Sequence, residues 1–272
     1  MRAVTGRPTL WHIPVSHYSE KARWALDYKS IPYRLRAPVP GAHIPVALWL
    51  TYGRHYTLPV LDLVGERIGD STAIIAALEQ RQPEPPLYPR DPAQRRRALA
   101  LEEWFDEELG PYMRRFVFHE LRRDPERFAD VGAKAAPRAF RLMGPAGAAF
   151  ARALVGLRYG ARSDDAAETA RAKIIAALDR LEAELGGGDY LVGESFSVAD
   201  LTAAALLYPL VRPPEAYVTI DRMPEPVERL RAQLRERRGY RWVEETFRRH
   251  RRSAEAPSGA GDAVPAPSEV GR

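Results

Sequence analysis

The chain has 272 residues, room for two ordinary domains, and its 45% hydrophobic content suffices for a sizeable buried core. It has no cysteine, which excludes disulfides, thiolate metal sites and a protein-borne thiol nucleophile, so any sulfur chemistry must use a thiol carried by a small molecule. The net charge of +5 belongs to one segment, because Arg222–Arg252 alone holds 11 Arg against 5 Glu.

Met1–Leu10 carries no long apolar run, so no secretory signal is expected and a cytoplasmic protein is the reading. Pro8–Ile13 reads as a short strand ended by Pro14. Ser16 stands where a helix N-cap belongs, Glu20 falls in the first turn, and Ala22, Ala25 and Leu26 mark the inward face. Ile31–Leu35 suggests a second strand, after which Pro38, Pro40 and Gly41 break the pattern. His43–Tyr56 is ambiguous, with a short helix around Val46–Leu50 as one option. Leu58–Leu63 reads as a strand starting at a proline, Val64–Arg67 as a turn, and Ile68 as the start of a pairing strand. Asp70-Ser71 caps a helix with the face Ile74, Ile75 and Leu78. The order strand, helix, strand, variable segment, strand, strand, helix predicts an α/β unit over residues 1–84.

Residues 85–92 are proline-rich and read as a linker; beyond them the strand signals stop. Asp91-Pro92 starts a helix carrying Leu99, Leu101, Trp104, Phe105 and Leu109, and Asp124-Pro125 starts another. Ala133–Tyr159 is rich in Ala and Gly and reads as mostly helical. Ala167–Leu185 has the clearest helical period and ends at Gly186-Gly187-Gly188. Ser197-Val198-Ala199-Asp200 matches a capping box with Asp in place of Glu, and the helix it opens is apolar through Leu207. Pro224 and Pro226 open a further helix, and a last one holds Trp242, Val243 and Phe247. The helical domain is thus expected over 93–252, with a disordered tail over 253–272. No stretch is long and apolar enough to span a bilayer. Glu228, Glu236, Glu244 and Glu245 interrupt the basic segment, so a solvated helical face is expected there and no nucleic-acid contact.

Three features gain weight from their order: Pro14–Arg23 between strand and helix, Thr57-Leu58-Pro59-Val60-Leu61, and Gly69–Ile75. On these, with Phe196–Asp200 in the second half, the sequence resembles the glutathione transferase family from about Thr9 to His250. The resemblance implies a thioredoxin-like first domain, an all-α helical second domain, glutathione as co-substrate, a small electrophilic substrate, no metal, and a homodimer. Ser16-His17-Tyr18-Ser19 resembles the position where thioredoxin-fold relatives carry Cys-x-x-Cys, and similarity to serine-type transferases implies Ser16 as the thiol-activating residue. Leu58-Pro59 resembles the family's cis-proline corner, and Asp70-Ser71 its γ-glutamyl site. Asp70 is one methylene shorter than the family's Glu.

The chemistry can be stated from the residues. Glutathione carries two carboxylates, one ammonium and one thiol. Free N–H groups at a helix start bind carboxylates, and Ser71 adds a hydroxyl there. Asp70 offers a charge for the ammonium. A Ser16 O–H aimed at a thiolate, helped by the helix terminus, would lower a thiol pKa; two units correspond to roughly 2.7 kcal/mol. Each residue also has a plain structural role: Ser16 and Asp70 as caps, and Tyr18 and His12 as packing groups that are also candidates for the ligand cleft. Arg54 and His55 stand near the corner, either facing a carboxylate or on a solvated loop. Trp104, Phe105, Tyr112 and Phe116 are expected to line an apolar cleft between the domains or to be core. A second function class stays open: a binding module on the same fold with weak or no glutathione affinity.

Overall fold

β-forming and α-forming segments alternate only as far as Arg81, and that change of rhythm divides the computed structural model into a sheet half and a helical half. The structure describes residues 7–38, 42–63, 65–158 and 163–251. The expected break around Pro40-Gly41, the turn residue Val64 and the tail 253–272 lie outside the described residues.

In the first half, β1 (Thr9–Trp11) runs parallel to β2 (Arg34–Arg36) and antiparallel to β3 (Val60–Leu63), which pairs antiparallel with β4 (Glu66–Gly69). The sheet order is β2-β1-β3-β4. The buried residues Leu10 and Leu61 are register partners at its centre. α1 (His17–Tyr28) and α3 (Ser71–Arg81) pack on each other, and α2 is a real helix, His43–Leu50. Leu58 precedes β3 instead of starting it: the ladder begins at Val60, and the Leu58–Pro59 peptide is cis.

The second half comprises α4 (Pro92–Glu108), α5 (Gly110–Arg123), α6 (Pro125–Ala135), α7 (Pro137–Arg158), α8 (Asp164–Leu185), α9 (Val198–Val211), α10 (Glu225–Leu234) and α11 (Arg238–His250). Every residue of α9 is buried, which explains a helix that is apolar all round. It runs past the expected stop at Leu207 and carries Pro209 inside it, because burial on all sides outweighs one missing N–H. Its start is closed by the Asp200 carboxylate, which accepts from the Ser197 N–H and hydroxyl at 2.8 and 2.7 Å and from the Leu191 N–H at 2.8 Å. The proline-rich connection is packed down: Leu87 is fully buried and its carbonyl accepts from Val198 N–H at 2.8 Å. The buried Lys29 ammonium donates to the Gln82 and Pro85 carbonyls at 2.7 and 3.0 Å and pairs with Glu79 at 2.7 Å.

Two buried ion clusters join the halves through α1. Lys21, fully buried, donates to Thr72 Oγ1 at 2.8 Å on α3 and pairs with Glu102 and Asp106 of α4 at 2.9 and 2.5 Å. Burial would lower its pKa, but the Asp106 and Glu102 carboxylates outweigh burial and hold it above the ordinary lysine value. On the other flank Arg251 donates to Glu20 at 2.7 Å and Asp27 at 2.6 Å, while Arg23 donates to Glu20 at 2.6 Å. Between the clusters Trp24 is fully buried, with its indole N–H donating to the His250 carbonyl at 3.1 Å and its ring 4.4 Å from that of Phe247.

Lys21→Met should cost about 3–5 kcal/mol, because it strands two buried carboxylates. Urea denaturation checks this, and adding Glu102→Gln and Asp106→Asn should restore most of the loss. The second cluster has a pH signature. Burial would raise the Glu20 pKa, but Arg251 and Arg23 bring it below 4.5. Its ionised form therefore stabilises the fold fully above about 4.5, and the stabilisation is lost as pH falls through the lower folded value. Glu20→Gln should be less stable than the parent at neutral pH, with a difference that shrinks as the pH drops below that point; the urea midpoint followed against pH reads it.

Candidate functional site

The residues just before α1 and β3 and those opening α3 meet at the same place. Ser16 precedes α1, and its Oγ accepts from Ser19 N–H at 3.4 Å, a long cap bond that leaves the serine proton uncommitted. The loop before it is held from the second domain, where Tyr208 of α9 donates to the Val15 carbonyl at 2.8 Å. Ser16, Leu58, Pro59, Asp70 and Ser71 line one cavity of about 650 Å³ between the two halves.

Asp70 sits in an unusual backbone conformation, φ 76°, before α3. Its Oδ1 accepts from the N–H groups of Thr72 at 2.9 Å and Ala73 at 3.1 Å. The carboxylate therefore occupies two of the first-turn donors that a ligand carboxylate would use. Ser71, 2% exposed, stands at the first helical position.

Tyr18 also lines the cavity, but its hydroxyl is already engaged. It donates to the Asp106 carbonyl at 3.0 Å, and α5 comes close enough that a Cβ on Gly110 would lie 2.0 Å from the phenol oxygen. Burial and then the Asp106 carboxylate raise the Tyr18 pKa well above its ordinary value, so the phenol stays protonated. His17, which the sequence reading passed over, is 5% exposed in the same wall, and its Nε2 has no hydrogen-bond partner. Burial, then the Arg114 charge, push its pKa down to about 3, so the ring is neutral at physiological pH.

The helical wall is not the expected one. Trp104, Phe105, Tyr112 and Phe116 do not line the cavity. Phe105 and Phe116 are buried in the core, Trp104 packs on Phe105 with ring centres 5.1 Å apart, and the Tyr112 ring lies 5.4 Å from the Lys173 ammonium of α8. The helices are turned so that other residues face inward. From α4 these are Leu99, Glu102, Glu103, Asp106 and Glu107, and from α5 Met113, Arg114, Val117, Phe118 and Leu121. His12 is also outside the cavity: it is 2% exposed, its Nδ1 lies 2.6 Å from Arg23 Nη1, and burial followed by Arg23 lowers its pKa. Arg54 and His55 are absent from the lining too, and the His55 ring lies where a Gly69 Cβ would be.

The charge of the wall follows from that turn. Five carboxylates line it, Asp70 from the first half and four from α4, against the guanidinium groups of Arg114 and Arg158. Lys21 compensates Glu102 and Asp106 from behind. Among the described residues no cluster of three or more His, Cys, Asp or Glu side chains is placed to hold a metal, and no helix is long and apolar enough to cross a membrane.

Comparison with known proteins gives the same outline. The glutathione S-transferase N-terminal domain model matches residues 10–86, and the C-terminal domain model matches 164–245. FtsZ-localized protein A of Caulobacter vibrioides is 27% identical over 211 residues, covering 73% of this chain and 75% of its own length. The solved structure of FzlA from C. crescentus is 25% identical, with a TM-score of 0.55, covering 88% of this chain and 92% of that one. A glutathione S-transferase from Methylobacterium radiotolerans, solved with glutathione sulfonate, is 24% identical with a TM-score of 0.54, over 95% of this chain and 100% of that one; it attests the shared fold. With both domain models matched on a four-stranded mixed sheet followed by a helical domain, the chain belongs to the glutathione S-transferase fold family.

Proposed function

We propose that this chain is an interaction protein built on the transferase fold, with weak or no glutathione affinity. The observation that carries the reading is the charge of the cavity. Reduced glutathione has two carboxylates against one ammonium, and its thiolate adds a third negative charge. It would enter a space lined by five carboxylates, two of them sharing the Lys21 ammonium behind the wall, and two guanidinium groups. Like charges a few ångströms apart in a half-buried site cost on the order of 1–4 kcal/mol each. Asp70 adds to this by filling the Thr72 and Ala73 donors with its own carboxylate.

The similarity to FtsZ-localized protein A supplies a first candidate partner. In this reading the protein acts in the cytoplasm, self-associates as a dimer as the fold family commonly does, and contacts FtsZ polymers through its surface. Co-sedimentation with FtsZ assembled in GTP tests this: the chain should pellet with polymer and stay in the supernatant without it.

A second reading keeps the enzyme. One observation favours it: Ser16, the Leu58–Pro59 corner and Ser71 share one cavity. There Ser16 donates to the glutathione thiolate, which attacks a small electrophile.

Glutathione separates the two readings. The interaction protein should pass through a glutathione-affinity column and show no melting shift in millimolar glutathione. Retention, together with an ultraviolet titration showing a depressed thiol pKa that returns toward the free value in Ser16→Ala, would establish the enzyme instead.

A further inference from the structure

Residues 87–163 lie between the two matched domain models, and they include a helix that turns an apolar side to solvent. Gly144, at φ 64°, breaks α7, and residues 145–158 form its second part. Ala151 and Val155 turn inward and pack against the core, with α5 and α6 as neighbouring helices. The outward side carries Ala149, Phe150, Ala153, Leu154, Leu157 and Arg158, all exposed. Phe150, Leu154 and Leu157 are 71%, 43% and 63% exposed. At 3.6 residues per turn these three fall within an arc of about 60°. A surface helix ordinarily shows its polar side to water. This one shows an apolar ridge with one guanidinium at its edge.

The charge around the ridge has a single sign. From Val131 to Ser163 the sequence holds five Arg and one Lys and no Asp or Glu. The Arg158 guanidinium lies 4.9 Å from the ring centre of Tyr56, which is also exposed, so an aromatic group borders the same edge. Phe150, Leu154, Leu157 and Tyr56 do not line the acidic cavity, although Arg158 does.

A cover for this face must accept apolar side chains and supply negative charge. A second copy of the chain would bring two cationic stretches together in an isologous contact. A protein partner would need carboxylates and a groove shaped to the ridge. An anionic bilayer surface meets both demands without a shaped groove: its headgroups attract the arginines, and the acyl boundary takes Phe and Leu. Residues 145–158 span about 20 Å, short of the roughly 30 Å of a hydrocarbon core, so the helix would lie along the surface and not cross it.

We propose that the exposed face of α7 docks on an anionic lipid surface, with Phe150, Leu154 and Leu157 at the acyl boundary and the carboxylate-free, arginine-rich stretch supplying the attraction. This face lies outside the cavity, so the inference holds whether or not glutathione binds.

Vesicle co-sedimentation of the full chain tests it, with phosphatidylglycerol mixed equally with phosphatidylcholine against phosphatidylcholine alone. The chain should bind the anionic vesicles about tenfold or more tightly, and high salt should reduce that preference several-fold. Phe150→Ser/Leu157→Ser changes two exposed positions, so the variant should keep the parent melting temperature while its vesicle binding falls about tenfold or more. In Phe150→Trp, the added emission should shift to the blue on binding and be quenched by brominated lipid. Failure to bind anionic vesicles, or a Phe150→Trp emission that brominated lipid leaves unquenched, overturns the proposal. Binding unchanged in the double variant also overturns it and assigns the contact to the basic Arg222–Arg252 segment. Self-association that the double variant abolishes, or binding to polyglutamate, in either case without vesicle binding, gives the face to a second copy or to an acidic protein and overturns it equally.

Discussion

The Lys21 ammonium is the interaction on which the rest depends. It has no access to solvent, and its partners come from both halves of the chain: Thr72 at the start of α3, Glu102 and Asp106 on α4. A buried cation must be compensated within a few ångströms, so the three helices have little freedom to rotate or slide against one another. That requirement turns the acidic face of α4 toward the first domain. The cavity between the halves inherits its charge from the same contact that holds the halves together. Fold stability and the placement of the acidic α4 face are therefore coupled here through a single side chain.

The sequence made much of the frame readable. The order of elements, the caps at Ser16, Asp70, Asp91 and Ser197, and the apolar core helix all depend on local rules, and local rules act on neighbouring residues. Ser16, Leu58, Pro59, Asp70, Ser71 and Tyr18 do converge on one cavity, because each stands at or near an element end and the sheet brings those ends together. The helical wall was harder to read. In α5 the stripe Tyr112–Phe116 and the stripe Met113–Val117 are both apolar and only one residue apart, and periodicity does not say which faces the first domain. That choice is made by long-range packing: α8 covers the first stripe, and the second is left to the cavity. Of its two readings His12 keeps the packing role, for a related reason. It lies near a strand end, but Arg23 from the following helix captures its ring. His17 carried no sequence signal beyond its neighbourhood to Ser16, and its isolation becomes visible only when the atoms around it are placed.

Two tendencies thus meet in one site. The serine at a helix start, the proline corner and the Ser71 terminus share one cavity. The carboxylates of α4 and the self-capped Asp70 stand in the same cavity, and the Tyr18 hydroxyl there is engaged by the Asp106 carbonyl. A fold can keep its architecture while its site changes purpose, since architecture depends on buried packing and purpose on a handful of exposed charges.

The charge of the cavity is the central claim, and one ligand pair interrogates it with the scaffold held constant. Glutathione and its diethyl ester share the same peptide, but the ester lacks both carboxylates and keeps the ammonium. Calorimetry at matched ionic strength should find the ester binding the more tightly of the two. Tighter binding of free glutathione would contradict the account and return the cavity to thiol chemistry.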